Sequence, residues 1–259
     1  MQPLIDCDVL LYEIGFAAEA SEDGTISSFD SAAEYFDSRV ANICAMVEAT
    51  SEPVMYLTGR GNFRFDIAKR TPYKMRPAKK PFHYRNLKAY VKGKYNYVES
   101  VGMEADDEMS LEQTRRPGQT IICTRDKDLR AVPGWHYGWE CYNQPSFGPH
   151  CVSRLGEIRL ADDRKSLKGT GLLFFFAQCL LGDRVDTIPG LDRVGAVGAF
   201  NVLNGCQSEG DAFKRVLEAY RGVYGDHAEE QLLEQGRLLW MTRYLDEWGN
   251  PVLWELPSG

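Results

Sequence analysis

Apolar and polar positions switch between two periods along the first half of the chain. Residues 3–7 form a short apolar run ending in acids. From 9 to 20 the apolar residues Leu10, Ile14 and Ala17 or Ala18 recur at helical spacing, which predicts a strand and then a helix. A second helical stripe runs through 31–49 by way of Tyr35 or Phe36, Val40, Ile43 or Cys44, and Val47, before residues 54–57 return to strand. Residues 95–98 read as a further strand and 120–124 as a buried one. Between them, 104–114 reads as a helix with acids in its first turn, where a negative charge is favourable, and Pro117-Gly118 closes it. Residues 134–160 read as irregular loops and a hairpin. Helical stretches are expected over 171–181, 208–220 and 228–245, with a glycine-punctuated turn region at 182–205.

Strands alternating with helices imply an α/β fold with a mainly parallel central sheet covered on both faces, and in such sheets ligands bind beyond the carboxyl ends of the strands. The expected division is an α/β core over 1–165 that includes a basic segment at 58–94, followed by a helical region over 166–259 with a hairpin motif at 182–206, the two forming one catalytic unit.

Composition narrows this little: 44% hydrophobic and 26% charged residues in 259 suit a chain with a buried core and exclude collagen-like, coiled-coil and disordered classes. Seven cysteines without a C-x-x-C pair or zinc-ribbon spacing point to a reduced, cytoplasmic setting. The four histidines have no metal-site spacing either. The start MQPLIDCDVLL lacks the basic and apolar blocks of an export signal, and the uncharged stretch near 169–182 is too short to span a bilayer, so no membrane partner is expected. Charge changes the picture more. The net charge is -7, yet residues 58–94 hold twelve Lys or Arg and one acid, Asp66. That segment carries +11 against -18 in the other 222 residues, so a local stripe can attract phosphates although the whole molecule is an anion.

Acids recur in tight groups: Asp6 and Asp8; Glu104, Asp106 and Asp107; Asp126 and Asp128; Asp183 and Asp186. A parallel sheet would gather these groups. Like charges about 5 Å apart repel by roughly 3 kcal/mol at an effective dielectric near 20, so divalent cations are the natural remedy. A set of oxygen ligands suits Mg²⁺ or Mn²⁺. Taken singly, each group also reads as a helix cap or solvated turn. In residues 188–199 the glycines Gly190, Gly195 and Gly198 flank Leu191 and Val194 and open a helix, a pattern that lets backbone N–H groups approach a phosphate and that also serves plain packing.

Five stretches carry a resemblance: LIDCDVLLY at 4–12, GNFRFDIAKRTPYKMR at 61–76, GMEADDEM at 102–109, CTRDKDL at 123–129 and LLGDRVDTIPGLDRVGAVGA at 180–199. In this order they resemble the 5' nucleases, which include flap endonucleases, phage 5'-3' exonucleases and the 5' nuclease domain of bacterial DNA polymerase I. The resemblance covers about residues 1–205 and implies a PIN-like nuclease core with a helix-hairpin-helix type motif. By position it implies that Asp6, Glu104, Asp106, Asp107, Asp126, Asp128, Asp183 and Asp186 line the catalytic cleft. Asp6 and Asp106 would hold the ion that activates water. Asp126, Asp128 and Asp183 would hold the ion that steadies the leaving oxygen, with Glu104, Asp107 and Asp186 acting partly through water. The implied cofactors are two Mg²⁺ or Mn²⁺ ions about 3.5–4 Å apart, with a K⁺ ion at the hairpin. The basic segment would form an arch whose phosphate contacts are Arg64, Lys69, Arg70, Lys74 and Arg76. Its Tyr73, Phe82, Tyr84 and Tyr90 read either as base-stacking platforms or as core. Gly190, Gly195 and Gly198 would hold the duplex.

The implied activity is hydrolysis of DNA at or near a 5' end to leave 5' phosphates, in replication or repair. The implied setting is a monomer in the cytoplasm of a bacterial or phage-infected cell, with a 5' flap or an RNA-primed strand among the substrates. Two competitors stand beside it, a DNA-junction binding protein with impaired catalysis and an acidic-cleft ribonuclease. The chain departs from the family pattern in three places. The second strand ends Leu57-Thr58-Gly59 where many members have an aspartate. Asp8, two residues beyond Asp6 and so expected on the same strand face, could compensate, although a solvated or capping role is its first reading. Asp192, Val197 and Thr187 stand where Pro, Lys and Asn are common, which implies a weaker grip on duplex.

Overall fold

The computed structural model describes residues 1–20, 24–75, 79–142 and 144–257, and it divides into two compact units. The first comprises Met1–Gly61, Ala78–Asp126 and Gly134–Cys151; the second comprises Asn62–Pro77, Lys127–Pro133 and Val152–Gly259. Three stretches of the first 165 residues, 62–77, 127–133 and 152–165, fall in the second unit.

The first unit is built on strands β1 (Gln2–Asp6), β2 (Val54–Arg60), β3 (Tyr97–Val101), β4 (Thr120–Cys123) and β5 (Gly134–Gly138), with β6 (Phe147–Val152) at the far edge, in the order β3-β2-β1-β4-β5-β6. Every pairing from β3 through to β5 is parallel. Register sets Ile5 beside Met55 and Cys123, three fully buried residues that face helices α1 (Cys7–Ala18), α2 (Phe29–Met46) and α4 (Tyr84–Lys94) through Leu10, Phe36 and Leu87. The alternate positions Leu4 and Ile122, also fully buried, point to the opposite face, where α5 (Ala105–Arg115) packs across β1 to β4. Side chains start these helices: Asp6 accepts the Val9 amide at 3.1 Å, and Ser28 accepts the Ser31 amide at 3.1 Å.

Two expectations are corrected here. The region 134–160 supplies β5 and β6 to the main sheet as well as β7 (Glu157–Leu160), because Gly-Trp-His-Tyr-Gly is flanked by strands and shows neither alternation nor a long apolar run. Asp8 is not on a strand: β1 ends at Asp6, and Asp8 lies in the first turn of α1.

The second unit surrounds α6 (Gly171–Leu181), which forms where the apolar run predicts and is buried on all sides up to its last residue. Helices α7 (Ala196–Leu203), α8 (Glu209–Tyr224) and α9 (Ala228–Leu239), and the antiparallel pair of β7 with β8 (Leu167–Thr170), cover it. Phe175 meets Trp240 and Trp254 edge to face at ring separations of 5.0 and 5.3 Å, and the Tyr220 hydroxyl donates to the Cys179 carbonyl. The short helix α3 (Arg64–Ile67) packs on α9. Among the described residues no helix is long and apolar enough to cross a membrane.

Candidate active site

In the first unit the parallel topology brings the carboxyl ends of β1, β2 and β4 to one edge of the sheet. Asp6 ends β1 and is 2% exposed. Its Oδ2 accepts the Thr124 hydroxyl at 2.6 Å, and that hydroxyl oxygen accepts the Asp126 amide at 2.8 Å, so Thr124 fixes two of the expected ligand residues together. Asp8 reaches the end of β2, where the Thr58 amide donates to its Oδ2 at 2.8 Å, while its Oδ1 is buried without a hydrogen-bond partner. Thr58 also accepts the Ala105 amide on its hydroxyl at 3.0 Å and the Lys88 ammonium on its carbonyl at 3.0 Å, tying β2 to the start of α5 and to the middle of α4. Glu104 and Asp107 form a reciprocal capping box on α5, with Asp107 fully buried, and Asp106 lies in the first helical turn between them. Burial, with the Asp8 charge beside it, pushes the Asp6 carboxyl up to about 6 against the hydrogen bonds from Thr124 and Val9. Burial likewise raises Asp8, opposed by Thr58 and by the Lys88 charge.

In the second unit Asp128 opens a short 3-10 turn at 128–131 and Asp183 follows α6. The Lys127 ammonium stands 2.5 Å from Asp183 Oδ2 and 3.0 Å from Asp128 Oδ1, and the Gln178 side-chain amide donates to Asp128 Oδ1 at 2.5 Å. Burial alone would raise Asp183. The Lys127 hydrogen bond and charge, with the amides of Asp186 and Val185, outweigh it and hold the carboxyl below its usual range. Asp186 accepts the Tyr73 hydroxyl at 2.9 Å and lies 3.6 Å from the Lys74 ammonium.

The turn at 183–188 closes through paired backbone bonds between Asp183 and Ile188. Gly182 and Gly190 meet back to back there at φ +70° and +69°. A Cβ on Gly190 would come within 2.4 Å of the Gly182 nitrogen, so only glycine fits.

Several expected DNA contacts are committed inside the second unit. Arg64 is 1% exposed, and its guanidinium donates to the carbonyls of Leu238 and Trp240 at 2.9 and 2.8 Å, so it anchors α9 and cannot meet a phosphate. Arg70 donates to the Gly190 carbonyl and to Asp192 Oδ1 and lies over the Tyr224 ring. The Gly190 amide is buried on Gln235 Oε1 at 2.9 Å, which withdraws it from any phosphate. Lys69 and Lys74 are exposed, Gly195 is exposed at the start of α7, and Gly198 is half-buried. Arg76 lies outside the described residues. Tyr73 and Tyr84 are core, the Tyr90 hydroxyl donates to Asp37, and Phe82 is exposed. Lys88 and Lys92 of α4 pair with Glu99 in the strand after it, and Lys94 pairs with Asp37 of α2.

Among the described residues no three His, Cys, Asp or Glu side chains are set close enough to hold a metal. The donor sets nevertheless fit divalent cations. One unit leaves a buried carboxylate oxygen of Asp8 without a donor, and in the other an ammonium already stands as a cation between two carboxylates. Sequence reasoning missed Gln178, which no motif flags, and Thr124, although Thr124 lies within the CTRDKDL stretch. It also passed over Lys127, although Lys127 sits between Asp126 and Asp128 in the chain.

No protein-family model matches the chain, and no curated protein matches it in sequence. Its fold is that of the 5' nucleases. Solved structures similar to it include the T5 protein co-crystallised with metal ions, at 13% identity and a TM-score of 0.50 over 92% of this chain and 99% of that one. The bacteriophage T5 flap endonuclease in a pseudo-enzyme-product complex with DNA and metal ions matches at 14% identity and 0.50 over 92% and 98%. The T5 5'-exonuclease with zinc bound matches at 13% and 0.50 over 92% and 99%.

Proposed function

We propose that this chain is a divalent-metal-dependent 5' nuclease that hydrolyses DNA at or near a 5' end and leaves 5' phosphates. The observation that carries the reading is the placement, on a fold shared with the T5 nuclease, of Asp6, Thr124 and Asp126 in one hydrogen-bonded chain at the carboxyl ends of β1 and β4. Divalent ions, when bound, lower the pKa of an attacking water and neutralise charge on the phosphate. The chain's own residues hold and orient them. Asp6, Asp106 and Asp126 are the ligands offered by the first unit and Asp128, Asp183 and Asp186 those offered by the second, while Glu104 and Asp107 fix the start of α5 so that Asp106 projects from its first turn.

Thr124 keeps Asp6 and Asp126 in one orientation, and Gln178 does the same for Asp128. Lys127 would leave the Asp128–Asp183 pair as a metal enters. The exposed Lys69 and Lys74 and the N-terminus of α7 are the phosphate contacts of this reading, and they confer no base specificity. Mg²⁺ or Mn²⁺ at the acids, K⁺ at the hairpin and a monomeric state complete it.

Incubating the purified chain with 5'-labelled flap, nicked, blunt and RNA-primed duplexes and with RNA, in Mg²⁺, Mn²⁺ or EDTA, tests the reading. Cleavage from a 5' end that EDTA abolishes is expected, and metal-independent cleavage, or none on any substrate, overturns it. The competing reading, a junction-binding protein without turnover, is favoured by the Lys127 ammonium already occupying the Asp128–Asp183 pair. Tight flap binding without cleavage in Mn²⁺ would select it.

A further inference from the structure

The structure assigns Asp8 as a metal ligand, delivering from the first turn of α1 the carboxylate that the end of β2 lacks at Thr58. This rests on the metal-dependent reading above and adds to it a residue outside its ligand set.

Three ordinary explanations for a carboxylate here fail. Capping is one, but Asp6 already caps α1 by accepting the Val9 amide. Solvation is another, but Oδ1 is buried. The third is a structural ion pair, yet the nearby Lys88 ammonium is bonded to the Thr58 carbonyl at 3.0 Å and to Glu99 Oε1 at 3.0 Å. A charge in the first turn gains from the helix dipole, which accounts for an acid at this position but not for an oxygen without a donor.

What remains is the local arrangement. The Thr58 amide holds Oδ2 at 2.8 Å and thereby fixes the rotation of the carboxylate, leaving Oδ1 as a buried acceptor without a donor, two residues along the chain from buried Asp6. Two neighbouring carboxylates with one oxygen unsatisfied form a half-built site for a hard cation. Thr58 is the complement of Asp8. A carboxylate at 58 would crowd Asp8, whereas the threonine hydroxyl turns to accept the Ala105 amide while the backbone amide at 58 donates to Asp8.

The test is calorimetric titration of the full chain with Mn²⁺ at neutral pH, together with thermal unfolding in EDTA, for wild type, Asp8→Asn, Asp6→Asn and the double variant Asp8→Asn with Thr58→Asp. Asp8→Asn is expected to weaken the tighter Mn²⁺ site by about 10–100-fold with no loss of melting temperature in EDTA, and Thr58→Asp in that background to recover most of the affinity. If Asp6→Asn loses Mn²⁺ while Asp8→Asn binds as wild type does, Asp8 is not a ligand, although the nuclease reading stands. If Asp8→Asn instead loses affinity and melting temperature together and Thr58→Asp restores neither, its role is structural and the assignment falls. Absence of Mn²⁺ binding by wild type removes both the assignment and the reading beneath it.

Discussion

The two units bury carboxylates under opposite conditions. In the first, Asp6 and Asp8 lie side by side with neutral hydrogen-bond donors, the Thr124 hydroxyl and the amides of Val9 and Thr58, and burial pushes both carboxyls up. In the second, Asp128 and Asp183 are also buried but share the Lys127 ammonium, and Asp183 is held down. Burial penalises a charge in both places; the second offsets it with an ammonium bonded to both carboxylates, whereas the first has only the nearby Lys88 charge, which is bonded to the Thr58 carbonyl and Glu99. Without metal, the first group is therefore the stronger call for a cation, and the second resembles a site that has answered its own need.

The comparison breaks most visibly in turnover. Asp6→Asn and Asp183→Asn are each expected to lower single-turnover flap cleavage by about 10²–10³-fold while leaving flap affinity in Ca²⁺ nearly unchanged; wild-type cleavage by either variant removes that carboxylate from the metal assignment.

A smaller effect, opposite in sign for the two units, is expected in stability. The folded Asp6 carboxyl titrates near 6, above its ordinary 3.8, so its contribution to stability is complete below about pH 4 and is lost as pH rises through 6. Asp6→Asn should then match wild type at pH 4 in EDTA and exceed it by about 1–3 kcal/mol at pH 7.5, since asparagine still caps α1. Denaturant titration at the two pH values measures this, and a wild type more stable than the variant at pH 7.5 would contradict the account. Asp183→Asn should do the reverse, costing stability at pH 7.5 and nothing once the pH falls below the depressed folded pKa, because the Lys127 pairing then disappears in the wild type as well.

Arg64→Met separates a structural arginine from a phosphate contact. It is expected to cost about 1–3 kcal/mol by leaving the carbonyls of Leu238 and Trp240 unpaired, as read by thermal unfolding, without changing the salt dependence of DNA binding. Lys69→Ala sits at the small end. It should leave the melting temperature within experimental error and reduce the slope of log affinity against log salt by about 1; an unchanged slope removes Lys69 from the interface.

Much of this was legible from residue pattern. The runs at 3–7, 54–57 and 120–124 became β1, β2 and β4 because a strand buried between neighbours has few ways to be anything else. The stretch 171–181 became α6 because a helix apolar all round must be central. β5 escaped notice because its five residues, with a glycine at each end, carry neither period. Arg64 and Arg70 were taken for phosphate contacts because a basic run looks alike whether its guanidiniums face water or carbonyls, and Asp8 was placed on a strand because the spacing from Asp6 does not reveal that β1 stops there.

By itself, then, the order of residues determined β1, β2, β4 and α6 and the acids that end or follow them, since these follow from period, caps and turns acting over a few positions. Whether a given charge is neutralised, orphaned or spent on a carbonyl was decided only in three dimensions. That outcome depends on burial and on partners tens of residues away, such as Thr58 for Asp8 or Lys127 for Asp183, and no local pattern encodes either.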